Sequence, residues 1–261
     1  MEDAQQVTSL VDRFRLDGRV AIVTGASAGL GRQIAIGLGQ AGAAVVLAAR
    51  RAEALGETAE LVRATGARAA EVPCDITSPP DCDRLAAAAV DTFGRLDILV
   101  NNAGIGHAVP ATREAPEQFE QVMSVNVLGA YWMAQACARR MGSGASIVNI
   151  GSVLGLTTAG LPQAAYTASK AALIGLTLDL AQQWTGRKGI RVNTIAAGFF
   201  DSGMALEHAD GYLDEIVARR IPAGRLGQPE ELAAVVVFLA GDAASYVSGS
   251  VLSVDGGLLV T

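Results

Sequence analysis

The sequence predicts an α/β fold, in which helices cover both faces of a parallel sheet. Two observations support this prediction. Short apolar runs rich in β-branched residues alternate with helix-length segments along most of the chain, and glycine or polar residues follow the strand ends. Such alternation is typical of right-handed βαβ units. Because ligands bind at the carboxyl ends of the strands in sheets of this kind, we expect the functional residues at that edge.

The composition limits both the architecture and the partners. The chain has 261 residues, 51% of them hydrophobic, so we expect one domain over residues 17–261, preceded by a lead-in or capping arm at residues 1–16. A formal net charge of −6 argues against nucleic acid or an anionic membrane as partner. Two histidines exclude a histidine-rich metal site, and the three cysteines form no C-x-x-C pair. Without a signal-peptide or membrane-spanning pattern, we expect a soluble, cytoplasmic protein.

The first predicted strand is followed by a glycine-rich turn and a helix. Residues 19–24 form the apolar run, and T-G-x-x-x-G-x-G at residues 24–31 leads into the helical pattern. This order directs backbone N–H groups and the positive helix end to one point, where a pyrophosphate binds. The alternative is a tight turn that only packs the helix on the strand. The candidate pyrophosphate-binding residues are Gly25, Ser27, Gly29, Leu30 and Gly31.

Two arginines follow the second predicted strand, residues 43–49. Arg50 and Arg51 stand about 20 residues beyond the glycines, where a dinucleotide fold places the group that contacts the adenosine ribose. An acid there would repel a 2′-phosphate, whereas arginine presents a planar fork suited to phosphate oxygens. We therefore expect NADP(H) to be favoured, with NAD(H) possible. The alternative is that both arginines are solvated charges at the start of the helix predicted at 52–66.

The third and fourth predicted strands, at 68–73 and 96–100, also end in polar residues. Asp75, followed by Ile76, is placed to accept from an adenine amino group or, alternatively, to cap the helix that begins near Ser78. The fourth strand leads into N-N-A-G at residues 101–104. Its candidate cofactor-binding residues are Asn102, Ala103 and Gly104.

Two polar residues accompany the fifth predicted strand, residues 145–150. Asn126 lies within an apolar helix predicted at 116–141, where its amide is either hydrogen-bonded structurally or placed to hold a water. Ser152 follows the strand and is either a strand-end cap or a donor to a substrate oxygen. No histidine lies nearby in the sequence to activate it as a nucleophile.

Tyr166 and Lys170 open a long apolar helix predicted at 161–186. Residues four apart share a helix face, which brings the phenol and the ammonium together. To exchange protons near neutrality, the phenol needs its pKa lowered by about 2 to 3 units, and a neighbouring ammonium is one source of that stabilisation. The alternative is that the pair only packs on the helix.

The remaining segments complete the fold and supply candidate pocket residues. A sixth strand at 190–196 leads to Gly198, residues 199–224 form a predicted substrate loop or lid, and a helix at 229–241 and a strand at 250–254 follow. The candidate substrate-contacting residues are Leu154, Gln163, Phe199 and Phe200. His107 is a further candidate, whose alternative is an exposed loop histidine.

The motifs, in this order, resemble those of the short-chain dehydrogenase/reductase family over residues 17–257. The resemblance implies a Rossmann-type, doubly wound sheet of seven parallel strands. It also implies that Tyr166 is the general acid/base, that Lys170 lowers its pKa and holds the nicotinamide ribose, that Ser152 orients the substrate, and that Asn126 holds a water linking Lys170 to solvent. No metal is required by this chemistry.

Within that family, the chain resembles the 3-oxoacyl-carrier-protein reductase and the gluconate or polyol dehydrogenase branches, including R-L-G-Q-P-E at residues 225–230. We expect NADPH-dependent reduction of a 3-oxoacyl thioester or similar ketone. The alternatives are oxidation of a sugar acid or polyol and, in another class, a non-catalytic nucleotide-sensing protein. The resemblance also implies a homo-oligomer, a dimer of dimers, formed through the helices at 116–141 and 161–186.

Overall fold

The structure is a computed structural model that describes residues 9–202 and 211–261. The strands are β1 (Val20–Thr24), β2 (Ala44–Ala49), β3 (Ala69–Pro73), β4 (Ile98–Asn101), β5 (Ser146–Ile150), β6 (Arg191–Ala197) and β7 (Val251–Val254). They form one sheet in the order β3-β2-β1-β4-β5-β6-β7, and every pair is parallel. The strand order reverses between β1 and β4, and the carboxyl ends of these strands therefore flank a crevice. The predicted doubly wound, seven-stranded sheet is confirmed.

Helices cover the two faces of the sheet. They are α1 (Gly29–Gln40), α2 (Ala52–Ala64), α3 (Pro79–Phe93), α4 (Pro116–Met123), α5 (Ala130–Ala138), α6 (Ala164–Lys188), α7 (Tyr212–Arg220) and α8 (Pro229–Ala240). Helices α1, α2 and α8 pack on one face, and α3, α5 and α6 pack on the other. The predicted helix and strand ends differ from these bounds by a few residues. No helix in the described ranges is long and apolar enough to cross a membrane.

The core consists of two layers separated by the sheet. Successive side chains of a strand point to opposite faces, and in β1 Val20 and Ile22 enter one layer while Ala21 and Val23 enter the other. All four are almost completely buried. Strands covered on both faces are expected to be continuous apolar runs, which is the pattern that the sequence shows.

The helix predicted at 116–141 is not one continuous α-helix. A wider π-helical turn, Ser124–Gly129, separates α4 from α5, and α5 ends at Ala138. Gly129 in this turn packs against the side chain of Ile76, because a Cβ there would lie 2.7 Å from the Ile76 Cδ1. Periodicity at 3.6 residues cannot reveal such a turn, since it inserts only one extra residue into an apolar segment.

The predicted lead-in and substrate loop are only partly described. Residues 1–8 and 203–210 lie outside the described residues. Within the lead-in, Leu16 is fully buried in the core and the Phe14 ring lies 6.1 Å from the Phe238 ring of α8. Within the loop, the Tyr212 hydroxyl donates to the Ala159 carbonyl at 2.8 Å. This hydrogen bond ties the start of α7, within the predicted loop, to the segment before α6.

Candidate active site

A cleft of about 400 Å³ opens at the carboxyl ends of β4, β5 and β6. The cleft is lined by Leu30, Asn102, Gly104, Ile105, Gly106, His107, Ala108, Ile150, Gly151, Ser152, Val153, Leu154, Gln163, Tyr166, Lys170, Ala197, Gly198, Phe199, Phe200 and Ser202. The structure thus brings Ser152, Tyr166 and Lys170 together with all five candidate pocket residues. The remaining cofactor candidates lie beside the cleft and at the ends of β2 and β3.

Tyr166 and Lys170 lie one turn apart on α6, as their spacing predicts. The Lys170 ammonium is 5.5 Å from the centroid of the Tyr166 ring. It donates to the Ile150 carbonyl at 2.9 Å, and the side chain is almost completely buried. Gly155 lies directly against the Lys170 backbone, where a Cβ would come within 2.8 Å of the carbonyl carbon. The close packing fixes the position of the ammonium below the tyrosine.

Ser152 performs a local capping role and also faces the cleft. Its Oγ accepts from the Leu154 N–H at 3.1 Å and so caps the short 3-10 turn at Val153–Gly155. The Ser152 side chain also lines the cleft together with Tyr166. The hydrogen bond from the Leu154 N–H fixes the rotamer of the Ser152 side chain. The Ser152 hydroxyl also interacts with the phenol of Tyr166.

The pKa of Tyr166 differs from the sequence-based expectation. Burial raises the pKa of the phenol, and the hydrogen bond with Ser152 lowers it by a smaller amount. Burial also lowers the pKa of the Lys170 ammonium to about 8. In the protein alone, burial therefore has the largest effect on the phenol pKa, because removal from water favours the neutral form, and the lowering by Lys170 stays a prediction.

Asn126 is held by reciprocal hydrogen bonds in the π-helical turn. Its Oδ1 accepts from the Ile105 N–H, and its Nδ2 donates to the Ile105 carbonyl, each at 2.8 Å. Nδ2 also donates to the Ser169 hydroxyl at 2.9 Å, and that hydroxyl donates to the Tyr166 carbonyl. The structural hydrogen bonds of this amide are therefore observed, and its role in holding a water stays a prediction. Asn126 joins the segment after β4 to the first turn of α6.

The glycine-rich turn after β1 is packed against the segment after β4. Gly25 has φ +67°, and a Cβ there would lie 2.9 Å from the Ala103 Cα. The Asn102 Nδ2 donates to the Thr24 carbonyl at 3.0 Å. Thr24, which the sequence reasoning did not select, accepts the N–H groups of Asn102 and Ala103 at its hydroxyl. A small hydroxyl residue before the first glycine was the signal that could have identified it.

The start of α1 has the properties of a pyrophosphate site. Its N-cap residue, Ala28, supplies no side-chain hydrogen bond, and the first turn contains no acidic residue. Gly29 has φ +55°, and a Cβ there would lie 3.1 Å from the Ser202 carbonyl oxygen. The first N–H groups and the positive end of the helix dipole therefore remain available to an anion. These residues fit a dinucleotide.

The residues after β2 and β3 lie at the carboxyl edge of the sheet, beyond the glycine-rich turn that follows β1. Arg50 and Arg51 are exposed, and neither side chain has a hydrogen bond or an ion pair within residues 9–202 and 211–261. The Asp75 carboxylate accepts from the Thr77 N–H and hydroxyl. Ser78, and not Asp75, caps α3, because its hydroxyl accepts from a backbone N–H of the first turn. The capping alternative for Asp75 is therefore wrong.

Sequence reasoning missed several cleft residues between β4 and α4. Gly106 lies against the Tyr166 ring, where a Cβ would be 2.6 Å from Cδ2. His107 follows, and its Nε2 lies 3.2 Å from Oε1 of Glu114, whose side chain is only 8% exposed. The glycine two residues after N-N-A-G, Gly106, was the available signal for the close approach. Among the described residues, no group of three or more acidic, histidine or cysteine side chains is arranged to hold a metal ion.

The fold and cleft define a dinucleotide-dependent oxidoreductase with a tyrosine and a lysine on one helix. A family model described as "Enoyl-(Acyl carrier protein) reductase" matches residues 25–259. The chain belongs to the short-chain dehydrogenase/reductase family. It is an enzyme that interconverts a carbonyl and an alcohol with NAD(P), and the non-catalytic alternative is thereby set aside.

Two curated relatives represent both branches that the sequence resembles. Gluconate 5-dehydrogenase of Gluconobacter oxydans is 41% identical over 255 residues, which cover 96% of this chain and 98% of the relative. The rhamnolipids biosynthesis 3-oxoacyl-[acyl-carrier-protein] reductase of Pseudomonas aeruginosa is 42% identical over 251 residues, covering 94% and 97%. The near-equal identities leave the substrate class undecided.

Two solved structures are similar in fold and differ in their bound nucleotide. A protein of Agrobacterium tumefaciens with bound NADP has a TM-score of 0.86 and 39% identity, covering 95% of this chain and 99% of that one. A 7α-hydroxysteroid dehydrogenase complexed with NADH and 7-oxo glycochenodeoxycholic acid has a TM-score of 0.90 and 36% identity, covering 95% and 97%. The neighbours therefore support NAD(P) and do not distinguish the two nucleotides.

Proposed function

We propose that the chain reduces a small ketone to a secondary alcohol with NADPH, and that Tyr166 is the general acid in this direction. The observation that carries the proposal is the arrangement in the cleft of the Tyr166 phenol beside Ser152 and above the buried Lys170. Because burial raises the pKa of Tyr166, the phenol is protonated at neutral pH and has a proton to give.

The nicotinamide supplies the hydride to the carbonyl carbon when the cofactor is bound. As the C–H bond forms, the Tyr166 hydroxyl transfers its proton to the carbonyl oxygen, and Ser152 donates to the same oxygen. Lys170, when protonated, stabilises the phenolate that results and contacts the nicotinamide ribose. Asn126 fixes the first turn of α6 and, as the family resemblance implies, holds a water that links Lys170 to solvent. In alcohol oxidation, the same groups act in reverse.

We propose that NADP(H) is favoured over NAD(H). The guanidinium groups of Arg50 and Arg51 are exposed and have no partner among the described residues, and they follow β2, where they suit a 2′-phosphate. The start of α1 and the residues at the end of β4 hold the pyrophosphate and the nicotinamide side. On this proposal, Asp75 and Ile76 face the adenine.

Two substrate classes fit parts of the cleft. The apolar wall of Leu154, Phe199 and Phe200 suits the short acyl chain of a 3-oxoacyl thioester. The polar lining residues His107 and Gln163 suit a hydroxylated substrate such as a polyol or its ketose. Both substrate classes would undergo the same reaction, and the polar side chains of His107 and Gln163 favour the hydroxylated substrate.

Replacing Tyr166 by Phe tests the chemistry. We expect NADPH oxidation with a short 3-oxoacyl thioester or a hydroxyketone to fall by about 10²- to 10⁴-fold, because the proton donor is lost. NADPH binding, followed by its fluorescence, should be retained. Turnover that is unchanged in the variant would refute the assignment of Tyr166.

We further propose that the chain assembles as a dimer of dimers through α4, α5 and α6. Phe119 of α4, Leu128 of the π-helical turn between α4 and α5, and Leu178 of α6 are 38%, 46% and 51% exposed, which is high for large apolar side chains. Light scattering should give four times the 26.7 kDa chain mass at micromolar concentration. A monomer at that concentration would remove this proposal.

A further inference from the structure

The cleft contains polar side chains that the proposed chemistry does not use. Two of them, His107 and Gln163, line it together with Tyr166 and the apolar residues Leu154 and Phe199. The segments that carry them are joined directly, because the Val109 N–H donates to the Pro162 carbonyl at 2.8 Å. His107 and Gln163 therefore belong to one wall of the cleft.

Gln163 is the N-cap residue of α6, three residues before Tyr166. Its carbonyl accepts from the Thr167 N–H at 2.9 Å, and its side chain lines the cleft together with Tyr166. The Gln163 carboxamide oxygen is buried and has no hydrogen-bond partner within the described ranges. A buried polar atom without a partner is rare, and at a binding cleft the missing partner is expected from a ligand.

His107 follows a glycine that touches the same tyrosine. Gly106 packs against the Tyr166 ring, and the next residue, His107, lines the cleft. The Glu114 carboxylate can only accept, so the proton of the neutral imidazole resides on Nε2, 3.2 Å from that carboxylate. The other ring nitrogen, Nδ1, is then a hydrogen-bond acceptor. Glu114 thus orients a ring that can receive a hydroxyl proton.

The charges around the cleft argue against an anionic ligand. Lys170 is the one lysine or arginine among the described residues of the lining, and its ammonium is engaged with the Ile150 carbonyl. A carboxylate or phosphate in the cleft would therefore lack a free counter-charge, which is costly in a site removed from water. A neutral hydroxylated ligand has no such requirement.

We propose that Gln163 and His107 form a hydroxyl-binding subsite next to the reacting carbon. The subsite selects neutral polyhydroxy alcohols and the matching ketones over sugar acids and acyl thioesters. The hydroxyl donates to one of these acceptors and receives from the Gln163 amide, whose terminal torsion turns readily. The subsite rests on the proposed function, since it positions the same carbonyl beside Tyr166.

The experiment compares two ketones that differ by one hydroxyl. Reduction of 3-hydroxybutan-2-one and of butan-2-one with NADPH is measured for the wild-type enzyme and for Gln163→Leu and His107→Phe. We expect kcat/KM for the hydroxyketone to fall by about 10- to 30-fold in each variant, the size of effect that follows when a ligand hydroxyl loses its partner. The ratio of kcat/KM for the hydroxyketone to kcat/KM for butan-2-one should fall in each variant, because butan-2-one has no hydroxyl to lose its partner. Gln40→Leu, an exposed glutamine at the end of α1, is the matched control.

The outcomes separate the subsite from the chemistry. Equal kcat/KM for the two ketones in the wild-type enzyme, or a preference for the hydroxyketone that survives Gln163→Leu, overturns the subsite while the reductase assignment stands. Reduction of acetoacetate in preference to the hydroxyketone overturns the charge argument and the subsite with it. Reduction of neither ketone, with NADPH bound, contradicts the proposed function itself and removes the subsite too.

Discussion

The two sides of the cleft hold their functional groups in opposite ways. On the nucleotide side, Arg50 and Arg51 are exposed and the turn after β1 offers backbone N–H groups. On the catalytic side, Asn126 and Lys170 are 1% and 5% exposed and are hydrogen-bonded to neighbouring backbone. The difference indicates that nucleotide choice can change without loss of stability, whereas the catalytic groups are part of what holds the fold together.

Asn126→Ala should produce the largest change in stability. The substitution leaves the N–H and carbonyl of Ile105 without the partners that they have in the π-helical turn. We expect the free energy of unfolding to fall by about 3 kcal/mol, because orphaned buried polar groups cost about 1 to 3 kcal/mol each. Urea unfolding measures this loss. An exposed control such as Gln40→Ala should lose less than about 0.5 kcal/mol. If Asn126→Ala lost no more than this control, the catalytic side would contribute no more to stability than the nucleotide side.

Arg50→Ala should weaken NADPH binding without changing the stability of the fold. We expect the Kd for NADPH to rise by about 10- to 100-fold, since charge-assisted hydrogen bonds to a phosphate are worth about 1.5 to 3 kcal/mol. The Kd for NADH and the free energy of unfolding should stay the same, because the side chain has no partner within the described residues. Arg51→Ala is the matched comparison. Equal losses for the two nucleotides would contradict a 2′-phosphate contact at Arg50.

Lys170→Met should alter the pH dependence of stability by a smaller amount. Burial lowers the pKa of Lys170 from 10.5 to about 8, so between these values the unfolded chain binds a proton that the folded chain does not. This group therefore makes the folded state more stable as pH rises from 8 towards 10. The difference in unfolding free energy between wild type and variant should grow by about 2 kcal/mol from pH 7 to pH 9.5, at about 1.4 kcal/mol per pKa unit.

The chain offers a matched control for this titration. Lys188, the second of its two lysines, is exposed at the end of α6 and donates to the Ala138 carbonyl. Lys188→Met should follow the wild-type pH dependence. If the two variants gave parallel curves of unfolding free energy against pH, burial would not lower the pKa of Lys170.

The sequence was sufficient for whatever depends on neighbours along the chain. Continuous apolar runs predicted strands covered on both faces, and the glycine turn, N-N-A-G and the Tyr166–Lys170 spacing predicted functional groups at one edge of a parallel sheet. These features follow from local geometry: a strand places side chains on alternate faces, and a helix brings residues four apart onto one face. The family and its redox chemistry followed from the order of the motifs.

Only the tertiary structure decided how distant segments meet. The π-helical turn at Asn126, the raised pKa of Tyr166 and the capping of α3 by Ser78 instead of Asp75 all depend on packing and burial, which one chain segment does not specify. The same holds for Glu114 beside His107 and for the orphaned oxygen of Gln163. Spacing determines which groups can share an element, whereas solvent exclusion and hydrogen-bond partners come from segments far apart in sequence.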